Sequence, residues 1–203
     1  MMNNFHFFRQ ASPPSGTPPL VGRGRGRGLR KLRITELSRL TPGEYQESEK
    51  TPLVVVLDQV RSLSNVGSLF RTADAFRVKA VYLCGITASP PHPEIHKTAL
   101  GAEDTVEWHT CSDTLEAVLE LKREAYVLCA VEQAEGSIAL DELALDRNRK
   151  YALILGHEVK GVQQAVIDQC DCCIEIPQFG TKHSLNVAVA GGMAIWEFFK
   201  QLR

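Results

Sequence analysis

No apolar run in this 203-residue chain approaches the roughly 18 to 20 residues that a membrane-spanning helix requires. The N-terminus also lacks the apolar segment of a secretory signal, so a cytoplasmic protein with no membrane partner is expected. No G-x-G-x-x-G follows the first apolar segment, where the chain reads SNVGSLF from Ser64 onward. That absence argues against a nicotinamide-dependent oxidoreductase. Zinc-pair spacing is missing too: Cys170, Cys172 and Cys173 crowd together without a second pair, and no metal is expected there. His92 and His96 stand four apart, but in a proline-rich loop with no carboxylate geometry they read as surface histidines. With Cys84, Cys111 and Cys129, the six cysteines sit mostly in apolar runs of a chain too large to need stapling, and they read as reduced thiols.

Acidic residues are absent up to Thr35, a stretch that carries Arg9, Arg23, Arg25, Arg27, Arg30, Lys31 and Arg33. The remainder holds 16 basic against 24 acidic residues, so a basic tail precedes an acidic body although the net charge is only -1. Such asymmetry suits a protein that touches a polyanion with one end. Residues 1–28 are rich in Pro, Gly and Ser, end in GRGRGRG, and contain too little apolar surface to offset the entropy of ordering. They are expected to be disordered, either as an Arg/Gly arm for RNA or as sequence without a role. Residues 1–50 are read as an N-terminal extension with a short helix near 33–40, after which Thr41, Pro42 and Gly43 break the chain. Residues 51–203 form the body.

What is present in the body is an alternation of apolar strands and helical periodicity. Strands are expected at 53–57, 80–84, 105–108, 126–131, 151–155 and 173–176. Helices are expected at 66–76, 95–100, 114–124, 140–145 and 162–168, with a last one from Ser184. The fold class is therefore α/β, a parallel sheet with helices on both faces. LVVVL and YALIL show no period-two alternation, as in strands buried on both sides. Ordinary topology rules give an open, Rossmann-like sheet with a ligand at the strand carboxyl ends.

Three strand-to-helix junctions concentrate the candidate chemistry. Asn65, Gly67 and Arg71 stand as N-x-G-x-x-x-R, and helical spacing puts Arg71 opposite the apolar stripe Val66, Leu69, Phe70, Ala73 and Phe76. Arg71 is then free to meet a ligand or a partner chain, or is simply solvated. In LILGHEVKGV, Gly156 permits a sharp turn or a close ligand, and Glu158 falls near a helix N-terminus, where the dipole alone favours a carboxylate. In IEIPQFGTKHSLNVAVAGGMAIWEFFKQL, Pro177 closes the strand and a glycine loop leads to Ser184, a candidate cap. Leu185, Val189, Met193, Trp196 and Phe199 then recur at helical spacing.

Taken together and in order, these segments resemble the three motifs of the SpoU-type RNA ribose methyltransferases of the SPOUT superfamily, over residues 53–202. The resemblance implies a C-terminal trefoil knot, S-adenosylmethionine as cofactor, a homodimer, and methyl transfer to a ribose 2′-hydroxyl of tRNA or rRNA. By motif position it assigns Asn65, Arg71, Glu158, Ser184 and Asn186 to catalysis. It places cofactor contacts near Val131, Glu132, Gly156, Ile176 and Leu185. HKTALGAEDTVEW resembles the loop beside the family's active site, which makes Lys97 and Glu103 candidates for RNA or dimer contacts. The family's I-P-M reads Ile176, Pro177, Gln178 here, which bears on packing around the cofactor, and Lys182 and His183 also differ from many members. A guanidinium is ionised below about pH 12 and is a poor base. Arg71 is accordingly expected to hold a phosphate and stabilise a developing alkoxide. The rival is an RNA-binding module of the same fold without catalysis.

Overall fold

The computed structural model describes residues 30–203, so the expected disorder of residues 1–28 lies outside the described residues. The described residues divide into two units, 30–39 and 40–203. In the first, the helix expected near 33–40 is a single 3-10 turn, Ile34–Glu36, held by the Arg30–Glu36 ion pair at 2.8 Å.

The second unit opens with α1 (Pro42–Glu47), where a chain break was expected. Thr41 and Glu44 form a reciprocal capping box, and Pro42 occupies the first turn, where no amide hydrogen is required. Tyr45 of this helix is buried in the main core.

Strands β1 (Thr51–Asp58), β2 (Val78–Cys84), β3 (Glu107–Cys111), β4 (Tyr126–Val131), β5 (Ile138–Ala139), β6 (Lys150–Leu155) and β7 (Cys172–Glu175) pair in parallel in the order β3-β2-β1-β6-β4-β7-β5. Helices α2 (Leu63–Ala75), α3 (Pro93–Ala99), α4 (Thr114–Arg123), α5 (Gln164–Ile167) and α6 (Val187–Leu202) cover both faces. Leu53, Val55 and Leu57 of β1 pack with α2, α3 and α6, whereas Val54 and Val56 pack with α4 and α5. Burial on both faces explains the uninterrupted apolar run. The order departs from the Rossmann-like expectation beside β1, where β6 sits directly and β4 lies beyond it. After β7 the chain returns across the sheet as α6, which contacts α2, β1, β4 and β6.

Several boundaries differ from expectation for local reasons. Helix α2 starts at Leu63 because Ser62 caps it, which brings Asn65 into its first turn. The helix expected at 140–145 is only a 3-10 turn, Leu140–Glu142. Gln201 of α6 ties down the Leu143 carbonyl and the Leu145 amide, and Leu143 is extended. The strand expected at 105–108 begins later, because Thr105 closes the 3-10 turn Ala102–Asp104 and bonds to Asp74. Helix α6 begins at Val187 with Asn186 rather than Ser184 as its cap.

The stripe of α6 singled out by spacing is not its buried face. Val187, Gly191, Ala194, Ile195 and Phe198 are buried, whereas Val189, Met193 and Trp196 are about half exposed. A helix apolar nearly all round has two such stripes, and periodicity alone does not choose between them.

Gly67 has a packing role in N-x-G-x-x-x-R. A Cβ there would strike the Thr98 hydroxyl and the Ile95 carbonyl of α3. Helix propensity favours Gly67→Ala by up to about 1 kcal/mol. Because the obstacle includes backbone, the substitution is instead expected to destabilise by roughly 1 to 3 kcal/mol, measured by urea unfolding; an unchanged midpoint would refute the close helix contact.

Candidate active site

Three loops meet at the carboxyl ends of the central strands. The first joins β1 to α2, the second β6 to α5, and the third β7 to α6. Their meeting point is the carboxylate of Glu158. Its Oε1 accepts from the Ser62 amide at 3.0 Å and from Asn65 Nδ2 at 3.1 Å, and its Oε2 accepts from the Arg61 amide at 3.2 Å. Asn65 Oδ1 in turn accepts from Asn186 Nδ2 at 3.1 Å. Asn186 Oδ1 closes the chain by accepting from the first amides of α6, those of Ala188 and Val189. Asn65 is buried, with 8% of its surface exposed, so a complete set of partners matters.

The second loop is shaped by its own ring of bonds. His157 and Gly161 exchange backbone hydrogen bonds at 3.1 and 2.8 Å, and His157 Nδ1 accepts from the amides of Val159 and Lys160. Gly161 has φ +68°, a conformation that favours glycine. From β4, Glu132 Oε2 accepts from the Val162 amide at 2.9 Å. Buried Asp58, at the end of β1, accepts from the Gln163 amide and side chain and from Thr114.

Beside this junction lies a cavity of ≈ 320 Å³. Val131, Leu155 and Ile174, at the ends of β4, β6 and β7, form its apolar floor; Gly156, Ile176, Leu185 and Ala190 flank it. All five residues expected at a cofactor, Val131, Glu132, Gly156, Ile176 and Leu185, line it, as do Glu158, Ser184 and Gln178. Glu132 lines it with a carboxylate already engaged by backbone amides. Asn65 and Asn186 stand behind Glu158 rather than in the lining. Ser184 is exposed and, among the described residues, its hydroxyl has no partner.

Arg71 is not brought into this cavity. It lies six residues along α2 from Asn65, about 9 Å along the helix axis, exposed and with no ion pair among the described residues. Glu103, a candidate contact residue, is instead buried at 8% exposure, with Oε1 2.5 Å from His96 Nδ1. A desolvated carboxylate inside the fold is not available to RNA, which corrects that expectation. Lys97 is exposed. All six cysteines are free, and no three His, Cys, Asp or Glu side chains group as a metal site among the described residues. No helix among them is long and apolar enough to cross a membrane.

Reasoning from sequence missed Gln133, His157, Lys160 and Val187 in the lining, and Asp58 beneath it. An aspartate ending an otherwise apolar strand was the available signal for the last.

Partial burial pushes the Glu158 carboxyl up, but its own backbone amide, those of Ser62 and Arg61, and the Asn65 side chain outweigh it and hold the group below the ordinary 4.5. Its stabilising effect is therefore complete above the ordinary carboxylate range and is lost as pH falls through the lowered value. Glu158→Ala is expected to cost about 1 to 3 kcal/mol near neutrality, with the gap to wild type shrinking in acid below pH 4.5. Urea unfolding of both proteins at several pH values checks this; a gap independent of pH would disprove the charged role.

Residues 52–196 match the family model described as the SpoU rRNA Methylase family. A 23S rRNA (guanosine-2′-O-)-methyltransferase RlmB of Nitrosomonas europaea is 34% identical over 184 residues, covering 90% of this chain and 69% of that protein. RlmB of Bordetella pertussis is 32% identical, covering 75% of this chain and 61% of that protein. This chain thus spans six- to seven-tenths of the length of these two relatives. Among solved structures, an AdoMet-bound rRNA methyltransferase of Sinorhizobium meliloti superposes with TM-score 0.70 at 25% identity, covering 81% of this chain and 62% of the other. A TrmH/SpoU tRNA modifying enzyme of A. aeolicus, at 24% identity and TM-score 0.69 over 79% and 81% of the two chains, has the same fold. With its three loops in motif order and a family match over most of its length, the chain belongs to the SpoU rRNA methylase family.

Proposed function

We propose that this protein uses S-adenosylmethionine to methylate a ribose 2′-hydroxyl of rRNA or tRNA, as a cytoplasmic homodimer whose last segment forms the family's trefoil knot. One observation carries the reading: Glu158, Asn65 and Asn186 lock three distant loops beside a preformed cavity of mixed apolar and polar lining at the strand carboxyl ends. Its volume falls at the lower end of the range for small-molecule sites, roughly 300 to 1,000 Å³. Apolar Val131, Ile176 and Leu185 suit an adenine ring, and the polar backbone of the second loop suits the groups around it. Gln178 adds a side-chain amide where an apolar contact was expected. Bound there, S-adenosylmethionine supplies an electrophilic methyl group.

The chain's own residues then have to present a ribose oxygen and accommodate the loss of its proton. Orientation of this kind contributes up to about 7 to 11 kcal/mol in well-aligned reactions. Ser184, exposed at the cavity and with no hydroxyl partner among the described residues, would bond the incoming nucleotide. Arg71 supplies fixed positive charge for an RNA phosphate and for the oxygen as it becomes anionic, while the proton passes to that phosphate or to water. Because Arg71 is exposed and does not line the cavity of its own chain, the proposal has it act at the partner's cavity. The half-exposed Val189, Met193 and Trp196 stripe on α6 supports such a dimer, since an apolar helix face of this kind marks an interaction surface.

The test is transfer of labelled methyl from S-adenosylmethionine to rRNA and tRNA transcripts. Arg71→Ala is expected to lower kcat by about 10²- to 10³-fold, and Arg71→Lys to restore little of it; near-normal transfer by the lysine variant would remove the guanidinium-specific role. No heat on titrating the methyl donor into wild type, with RNA binding retained, would instead favour a non-catalytic module. Met193→Glu together with Trp196→Glu is expected to give a folded monomer by sedimentation, with methyl transfer lost. An active monomer would show that Arg71 does not act across subunits.

A further inference from the structure

Phe179, on the loop between β7 and α6, has 98% of its surface exposed. Scattered exposed apolar side chains are ordinary, but this one differs in its surroundings. It adjoins Gln178, which lines the cavity, and the same loop brings His183 and Ser184 to the lining. From Pro177 to Asn186 the loop has no acidic residue and carries Lys182 and His183, both exposed. The second loop presents a matching pair to the same cavity, Val159 at 86% exposure and exposed Lys160. Each of the two loops thus holds an apolar side chain and a cation out into solvent near the cavity.

A flat aromatic face with cations close by is complementary to one chemistry in particular, an unpaired base joined to phosphates. Single-stranded RNA is recognised by stacking such bases on aromatic rings, and the charge tracks the backbone. A target ribose inside a helix must in any case be exposed before its 2′-oxygen can enter a recessed site. We propose that Phe179 is a stacking platform for an unpaired nucleobase next to the methylated ribose, with Lys182 and Lys160 drawing in the adjoining phosphates. This rests on the RNA-methylation reading above and adds to it a residue that selects unpaired RNA.

The full chain is tested by fluorescence anisotropy with two labelled probes, a single-stranded oligoadenylate of about twelve nucleotides and an abasic ribose-phosphate chain of equal length. Phe179→Ala is expected to weaken the oligoadenylate by roughly 5- to 150-fold, the range of one base–aromatic stack, and to leave the abasic chain unaffected. Phe179→Trp is expected to keep the affinity and to add tryptophan emission, beyond that of Trp108 and Trp196 in wild type, that the oligoadenylate quenches and the abasic chain does not. Lys182→Gln weakens both probes alike. Equal losses on the two probes, or none, would overturn the platform. So would a shift of Phe179→Ala to monomer in sedimentation, which would mean that a second copy of the chain covers the ring. Should wild type bind oligoadenylate through Phe179 yet show no uptake of S-adenosylmethionine, the platform stands and the methylation reading falls.

Discussion

The Glu158 carboxylate is the acceptor on which the rest of the site depends. Three donors reach it from the β1–α2 junction, nearly a hundred residues earlier in the chain, and one of them, Asn65, passes the connection on to Asn186 and the first turn of α6. A buried amide such as Asn65 is costly if either end is left without a partner. Here both ends are used, and they face different loops. The pair therefore acts as a gauge of loop position, since a displacement of either neighbour leaves a desolvated polar group behind. The partial exposure of Glu158 keeps its charged form affordable, while fixed amide dipoles hold that charge in place.

The same logic extends beneath the cavity. Glu132 and Asp58 each accept backbone amides from the stretch that follows Gly161, so the second loop is held from β4 on one side and from β1 on the other. None of these carboxylates needs to touch a substrate to matter. They fix a loop that crosses an irregular turn, with Gly161 in a conformation few other residues adopt. The cavity is the space left when three such loops are set at fixed heights above the strand ends. Its apolar floor is made by core residues at or near the end of each strand, half-buried Val131 and buried Leu155 and Ile174, which explains why a ligand site here requires no separate core.

Much of this was legible in the sequence, from residues and from the family resemblance, and the failures have common causes. Uninterrupted apolar runs made the central strands legible, and the five cofactor contacts that the resemblance implied line one cavity, four of them, Val131, Glu132, Gly156 and Ile176, at or just after strand ends that the sheet positions. Network partners were named but not their geometry: nothing local distinguishes a glutamate capping its own helix from one capping another. Thr41, Pro42 and Gly43 read as a break because each disfavours a helix interior, yet the first two are favoured at a helix start. Helix α6 misled for a different reason. Its apolar surface has to satisfy the core on one side, and a second stripe is left for something outside the chain.

That second stripe and Arg71 belong to the same argument. The polar network of the site is assembled within one chain, from buried Asn65 and half-buried Glu158 with exposed Asn186 as its outer member, whereas the groups suited to meeting RNA, Arg71, Lys160, Phe179, Lys182 and Ser184, are all exposed. A cation and an aromatic ring left in water keep their full hydration or rotational freedom until a partner arrives, so their interaction free energy is available for binding rather than for folding. On the proposed function this division has a consequence for selectivity. The methyl-donor site is preformed and indifferent to the RNA, and discrimination has to come from how well an incoming strand satisfies the exposed set at once. A paired base cannot stack on a ring, and a strand without the right phosphate cannot engage the guanidinium, so each requirement filters independently of the cavity that holds the donor.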